Sequence, residues 1–129
     1  MTIQHPDGAD TGDRPLKVTV SRHDDGQVVI GAAGEIDLAT AGILGDVLDG
    51  EPAPGTVAVV LNLSTVTFCS STGLSELVKI RTRAADAGVP LRLVLDDAGA
   101  LRRTLELIGM LELFTVYPDQ TAALEADRD

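Results

Sequence analysis

One stretch of the sequence constrains the fold more than any other. In it, an apolar segment is followed by a run of hydroxyl side chains and then by a helical pattern. Residues 57–61 are apolar without interruption, Ser70, Ser71 and Thr72 carry the hydroxyls, and Gly73 precedes the helical pattern. A continuous apolar run of this length is typical of a strand buried on both faces of a sheet. The stretch therefore predicts a central strand that leads directly into a helix, which is the basic unit of an α/β fold.

The hydroxyl run lies where the helix begins, and two interpretations of it follow. The first N–H groups of a helix have no partner within the helix, and its dipole favours negative charge there, so a phosphate, free or covalently attached, would be stable at this point. The alternative is that Ser70 or Ser71 is simply the N-cap residue of the helix, which serves stability alone.

The rest of the chain supplies the remaining elements of one domain. Residues 16–22 alternate as in a half-buried strand, Asp24-Asp25-Gly26 forms a hairpin turn, and residues 27–33 return as an antiparallel strand. Asp37 is the predicted N-cap of a first helix. The further predicted elements are a helix at 38–48, a strand at 56–63, a helix at 71–87, a strand at 91–95, a helix at 98–108, a strand at 113–117 and a helix at 120–126.

This order predicts an α/β fold with a mixed sheet that is opened by a β-hairpin and has about four helices packed on it. Residues 1–15 lack periodicity, and we expect them to form a disordered tail before a single domain at 16–127. The helical period places Leu38 and Ile108 toward the core. In the central helix it places Leu74, Leu77, Val78 and Ala85 on the same inward face.

Charge and composition reduce the range of functions that this chain can have. The formal net charge is -10, which argues against nucleic acid and against an anionic membrane surface as partners. The single cysteine, Cys69, suits a reducing compartment, and the chain has no signal pattern, so we expect a cytoplasmic protein. With two histidines, both away from the hydroxyl run, the sequence predicts no metal, no cofactor and no enzymatic activity. Cys69 is interpreted as a buried apolar side chain, with a reactive thiol at the helix start as the alternative.

Three segments resemble the STAS family, and within it the anti-sigma factor antagonists. The segment at residues 34–37, Gly-Glu-Ile-Asp, is similar to the family's Gly-Glu-Leu-Asp before the first helix. Residues 61–68 are similar to the strand that leads to the family's switch loop. Residues 69–74, Cys-Ser-Ser-Thr-Gly-Leu, are similar to its Asp-Ser-Ser/Thr-Gly-Leu loop. The resemblance covers roughly residues 16–127 and implies a STAS-like domain.

What the resemblance implies is a partner switch that regulates transcription, as in stress responses. An anti-sigma factor, itself a GHKL-type serine kinase, would phosphorylate Ser71, with Thr72 as the alternative acceptor. The unphosphorylated protein would sequester the anti-sigma factor, and a PPM-type phosphatase would reset the switch. Contact with the partner or with an anion would come from Asp37, Asn62, Ser70, Thr72 and Gly73.

The sequence departs from the family pattern at two positions. Ser70 stands where the family has an aspartate, and Asn62 stands where many members have Asp. Two alternatives to the switch therefore remain: a docking or scaffold module that is never phosphorylated, and a sensor domain that binds a nucleotide at the helix start. The sequence also leaves open whether the protein forms a homodimer.

Overall fold

The fold is built on one six-stranded mixed sheet. The computed structural model describes residues 2–4 and 16–126. The strands are β1 (Thr2–Gln4), β2 (Leu16–Arg22), β3 (Gln27–Ile36), β4 (Ala58–Cys69), β5 (Leu91–Val94) and β6 (Thr115–Tyr117). They lie in the spatial order β1-β2-β3-β4-β5-β6, with antiparallel pairing from β1 to β3 and parallel pairing from β3 to β6. The predicted mixed sheet opened by a hairpin is thus confirmed.

Four α-helices connect or follow these strands. They are α1 (Ala41–Leu48), α2 (Ser71–Ala87), α3 (Ala100–Leu107) and α4 (Gln120–Leu124), and a short 3-10 helix (Leu111–Leu113) precedes β6. The hairpin between β2 and β3 turns at Gly26, whose φ of 93° is the positive value that the predicted turn requires. None of the helices within residues 2–4 and 16–126 is both long enough and apolar enough to cross a lipid bilayer.

Strand β1 is an element that the sequence pattern does not predict. Its residues Thr2–Gln4 pair antiparallel with β2, opposite Thr19, Val20 and Ser21. Three residues are too few for a period to be visible in the sequence. The rest of the expected N-terminal tail, residue 1 and residues 5–15, lies outside the described residues.

Strands β3 and β4 both run further than the sequence predicts, and their extra length positions the start of α2. The predicted strand at 56–63 in fact continues to Cys69, although residues 64–68 are mostly polar or exposed. Two irregularities in the β3–β4 register allow this, one between Gly31 and Ala33 and one between Gly34 and Glu35. Such bulges turn side chains of the bulged strand to new directions, so the adjacent residues Thr67 and Phe68 are both exposed, while Val66 and Cys69 on either side of them are buried.

The main core lies between the sheet and helices α1, α2 and α3 and is aliphatic, as the low aromatic content of 2% requires. A smaller apolar cluster lies on the opposite face of the sheet, where α4 covers it. The members of this second cluster are Val29, Val60, Val94 and Ala123.

Four side chains that the helical period places in the core lie at the surface instead. Leu38 belongs to a turn before α1 and is 81% exposed, because α1 begins at Ala41 rather than at residue 38. Val78 and Ala85 are exposed because the buried side of α2 consists of Gly73, Leu77, Ile80 and Ala84. In α3 the buried residues are Leu101 and Leu105, and Ile108 is half exposed at the helix end. The predicted inward faces were therefore wrong at these positions.

Candidate functional site

Ser70 is the N-cap residue of α2. Its Oγ accepts a hydrogen bond from the Gly73 N–H at 3.3 Å, and its own N–H donates to the Ile36 carbonyl at 2.7 Å. The same residue closes the first turn of the helix, because the Leu74 N–H donates to the Ser70 carbonyl at 2.9 Å. Ser70 therefore joins the end of β3 to the start of α2 and satisfies one of the donors that a helix leaves unpaired.

Ser71 and Thr72, the first two residues of α2, are both exposed. Within the described part of the chain neither hydroxyl makes a hydrogen bond to another residue; the Ser75 hydroxyl donates to the Ser71 carbonyl, not to its hydroxyl, at 3.2 Å. The sequence allowed two roles for the hydroxyl run, capping of the helix and binding of a phosphate, and Ser70 is the residue that caps the helix. The Ser71 and Thr72 hydroxyls are left facing solvent at the positive end of a 17-residue helix.

Gly73 brings α2 close to the sheet. A Cβ atom at this position would lie 2.5 Å from Cγ2 of Ile36 and 2.7 Å from Sγ of Cys69. Both distances are about 1 Å shorter than an ordinary contact between such atoms. The glycine is therefore needed for packing, and it fixes the position of the helix start that carries Ser71.

Asp37 lies beside the start of α2 but is engaged in a local network. Its Oδ1 accepts from the Thr40 N–H at 2.9 Å and lies 3.0 Å from the Thr40 hydroxyl, while its own N–H donates to that hydroxyl at 2.9 Å. The Thr40 hydroxyl also donates to the Glu35 carbonyl at 2.8 Å. The aspartate thus forms the turn before α1, whereas the structural N-cap of α1 is Thr40 and not Asp37 as predicted.

Asn62 lies away from the α2 start, beside the smaller apolar cluster and α4. Its Nδ2 donates to Gln120 Oε1 at 3.0 Å, and its Oδ1 accepts from the N–H and the hydroxyl of Ser64 at 3.0 and 2.7 Å. Asn62 therefore anchors α4 and a bulged part of β4. Of the five residues expected to contact a partner or anion, Ser70, Thr72 and Gly73 lie together at the α2 start, Asp37 lies nearby, and Asn62 lies apart.

Cys69 is buried, with 8% of its surface exposed. This burial disfavours the charged thiolate and raises the pKa of the Cys69 thiol from 9.0 to about 11. A nucleophilic cysteine needs a lowered pKa and access to solvent, so the interpretation of Cys69 as a small buried side chain is the one that agrees with its surroundings. In the described ranges no group of three or more His, Cys, Asp and Glu side chains is arranged to hold a metal ion.

Beside Ser71 lies an apolar groove that sequence reasoning missed. We call it the α2 groove; its volume is about 490 Å³. It is lined by Ser71, Leu74, Ser75, Val78, Lys79 and Met110. The available signal was the width of the apolar arc on α2, which carries more apolar positions than one buried face can use.

Comparison with known proteins places these features in a family. A family model described as the STAS domain matches residues 18–123. The anti-sigma-F factor antagonist RsfB of Mycobacterium tuberculosis is 31% identical over 116 residues, which is 88% of this chain and 90% of RsfB. RsfA, an anti-sigma-F factor antagonist of the same organism, is 32% identical over 113 residues, or 86% of this chain and 87% of RsfA.

The fold is shared as well. The crystal structure of an anti-sigma factor antagonist from Mycobacterium paratuberculosis superimposes with a TM-score of 0.77 at 32% identity. The superposition covers 88% of this chain and 95% of that protein. Sequence and structure thus agree over nearly the same residues.

Proposed function

The chain belongs to the STAS domain family, and we propose that it acts as an anti-sigma factor antagonist whose binding is switched by phosphorylation of Ser71. The antagonist role follows the relatives of more than 30% identity that carry this name over most of their length. In this role the unphosphorylated protein binds an anti-sigma factor in the cytoplasm, and the sigma factor is released to act in transcription.

The observation that carries the proposal is the separation of roles between two adjacent serines. Ser70 uses its hydroxyl as the cap of α2, so that modification of Ser71 removes no hydrogen bond from the fold. A kinase of the GHKL type would transfer the γ-phosphoryl group of ATP to Ser71 Oγ, with ADP and the hydroxyl proton as the other products. A PPM-type phosphatase would return the free hydroxyl by hydrolysis.

The charge introduced at Ser71 accounts for release without unfolding. A phosphoserine carries about -1.5 to -2 charges at neutral pH. Within the domain this charge lies at the first residue of α2, where the helix dipole stabilises it. In a complex the same charge would be enclosed by the partner surface and lose its water, which is strongly unfavourable for an unpaired ion. The phosphorylated protein would therefore remain folded and leave its partner.

Ser70 fills the place of the family's aspartate in the cap itself. Both side chains offer an oxygen to the backbone N–H groups of the first helical turn, and both are preferred N-cap residues. The substitution removes a carboxylate next to the acceptor while it keeps the hydrogen bond to Gly73. The proposed kinase would therefore recognise Ser71 in a neutral rather than an acidic loop.

The test is incubation of the wild-type protein, Ser71→Ala and Thr72→Ala with recombinant anti-sigma factor kinases of the source organism and ATP. We expect the intact mass to rise by one phosphate in the wild type and in Thr72→Ala, but not in Ser71→Ala. A gain that persists in Ser71→Ala and disappears in Thr72→Ala would move the acceptor to Thr72. Tight binding without any mass gain would instead favour a docking module that is not phosphorylated.

The effect of a negative charge at Ser71 on partner binding is tested against the same charge placed elsewhere on the protein. Ser71→Glu should weaken binding to the kinase at least about tenfold, because a carboxylate at the interface loses its water on binding. Thr121→Glu adds the same charge at an exposed position of α4, which covers the opposite face of the sheet from α2, and should bind as the wild type does. Equal affinity of Ser71→Glu and the wild type would contradict a switch at Ser71.

A further inference from the structure

The α2 groove has a largely apolar lining. Leu74, Val78 and Met110 supply its apolar surface, and the hydroxyls of Ser71 and Ser75 lie at its edge. Among the described residues that line it, the charged one is Lys79, whose Nζ lies 3.4 Å from Glu76 Oε2. Although the net charge of the chain is -10, no carboxylate of residues 2–4 and 16–126 lines this groove. Covering it would therefore require little removal of water from charged groups.

The core buries only part of the apolar surface that lines the groove. The buried side of α2 already consists of Gly73, Leu77, Ile80 and Ala84, which pack under the helix. Val78 is 38% exposed, and Leu74 and Met110 are only partly buried. Single exposed apolar residues are common, but several that share one concave surface are typical of a contact site for another molecule.

We propose that the α2 groove receives a large apolar side chain of the anti-sigma factor that phosphorylates Ser71, an inference that rests on the function proposed above. The position of the groove identifies the protein that occupies it, because Ser71, the proposed phosphorylation site, is one of the lining residues. A kinase whose active site reaches Ser71 Oγ must cover the adjacent groove with its own surface. The groove is open to solvent, and with a volume of about 490 Å³ it is large enough to receive an aliphatic or aromatic side chain, which would then act as the central apolar contact of the interface.

The same geometry explains how one phosphate controls the whole interface. Phosphorylation places a dianion at the edge of the groove, beside the apolar side chain that fills it. Lys79, the cation among the lining residues, already lies 3.4 Å from Glu76 Oε2. The bound state would then have to remove water from the phosphate in a largely apolar environment, which is unfavourable. The phosphate therefore acts on the strongest contact of the interface and not only on its own immediate neighbours.

The test compares two exposed valines of the same chain. Val78→Ser removes apolar surface from the groove, and we expect it to raise the Kd for the recombinant kinase by about tenfold to thirtyfold. Val57→Ser is the control: Val57 is 53% exposed and precedes the start of β4, at the opposite end of that strand from Ser71. This control should change the Kd by less than about twofold. Circular dichroism and thermal unfolding would establish that both variants fold.

A second variant tests the groove without removing any apolar group. Ser75→Gln places a longer neutral side chain at the groove edge, and glutamine is at least as favourable in a helix as serine. We expect it to weaken binding about tenfold or more because the side chain obstructs the groove. This variant decides the question if Val78→Ser fails to fold.

The outcomes separate this inference from the function on which it rests. If the wild-type protein binds none of the anti-sigma factors of its organism, the proposed function itself fails. If the wild type binds and both Val78→Ser and Ser75→Gln bind equally well, the function stands and the groove proposal is wrong. If these variants change self-association in sedimentation experiments but not kinase affinity, the groove is a contact between two copies of the chain, and the proposal is again wrong.

Discussion

Replacing Gly73 with alanine tests the closest contact between α2 and the sheet. The added Cβ would lie 2.5 Å from Ile36 Cγ2, 2.7 Å from Cys69 Sγ and 3.3 Å from Ile36 Cβ. Ile36 and Cys69 are partners in the parallel register of β3 and β4, and both are buried. Because both side chains are buried in the packed core, we expect the start of α2 to move away from the sheet.

The expected magnitude is the difference of two terms. Insertion of a methyl group into a tightly packed site costs about 1–3 kcal/mol. Alanine is favoured over glycine by about 0.8–1 kcal/mol within a helix, and by less in the first turn. The Gly73→Ala variant should therefore lose about 1–2 kcal/mol of unfolding free energy.

Gly42 provides the matched control, because it lies in the first turn of α1 as Gly73 lies in the first turn of α2. A Cβ at Gly42 would meet no atom within 4 Å. Gly42→Ala should therefore gain up to about 1 kcal/mol from helix propensity alone. Urea unfolding followed by far-ultraviolet circular dichroism measures both changes as shifts of the midpoint. If the two variants were stabilised equally, the close packing of α2 against Ile36 and Cys69 would be refuted.

Three further predictions concern the same region. Ser70→Ala should lose about 1 kcal/mol of unfolding free energy because the cap is removed. Ser70→Asp keeps the cap and should gain about 0.3–1 kcal/mol from the helix dipole. Equal stability of the two variants would contradict the capping role of Ser70. Burial raises the pKa of the Cys69 thiol to about 11, so iodoacetamide at pH 8 should modify the folded protein at least about a hundredfold more slowly than the urea-unfolded protein. The contribution of the buried thiol to the free energy of unfolding should be lost as pH rises from about 9 through 11. A modification rate equal to that of the unfolded chain would refute the burial of Cys69. Glu76→Met should stabilise the fold by about 1 kcal/mol in urea titrations, because Glu76 Oε1 is buried and has no hydrogen-bond partner within residues 2–4 and 16–126; a loss of stability would mean that the contact of Glu76 with Lys79 outweighs that penalty.

The sequence predicts α2 most closely because both of its ends have local signals. Ser70 caps the first turn with its own hydroxyl, and Gly88 ends the helix with a φ of 70°, so the helix spans 71–87 as predicted. The start of α1 has no such signal. Asp37, the predicted cap, bonds to Thr40 and forms a separate turn, and the helix begins only at Ala41. An aspartate that caps a helix and one that forms a turn have the same local sequence signature.

The length of β4 depends on tertiary pairing that no local pattern reveals. Residues 64–68 alternate poorly and include exposed positions, so by themselves they do not indicate a strand. They are held as a strand because β3 pairs with them through two shifts of register. This extension carries the chain to Cys69 and the start of α2. The position of Ser71 is therefore fixed by pairing between strands that are distant in sequence.

The errors in the predicted core are related to the proposed function. Helical periodicity identifies apolar residues but not which of them the core has room to bury, and in α2 the buried side is complete without Val78. Leu38 and Phe68 are also exposed. Leu38 lies just after the end of β3, and Phe68 lies at the end of β4, next to the start of α2. Keeping apolar groups in water lowers stability relative to burying them. Their exposure at the end of the sheet that carries Ser71 is accounted for if a partner covers this surface in the unphosphorylated state, as the proposed switch requires.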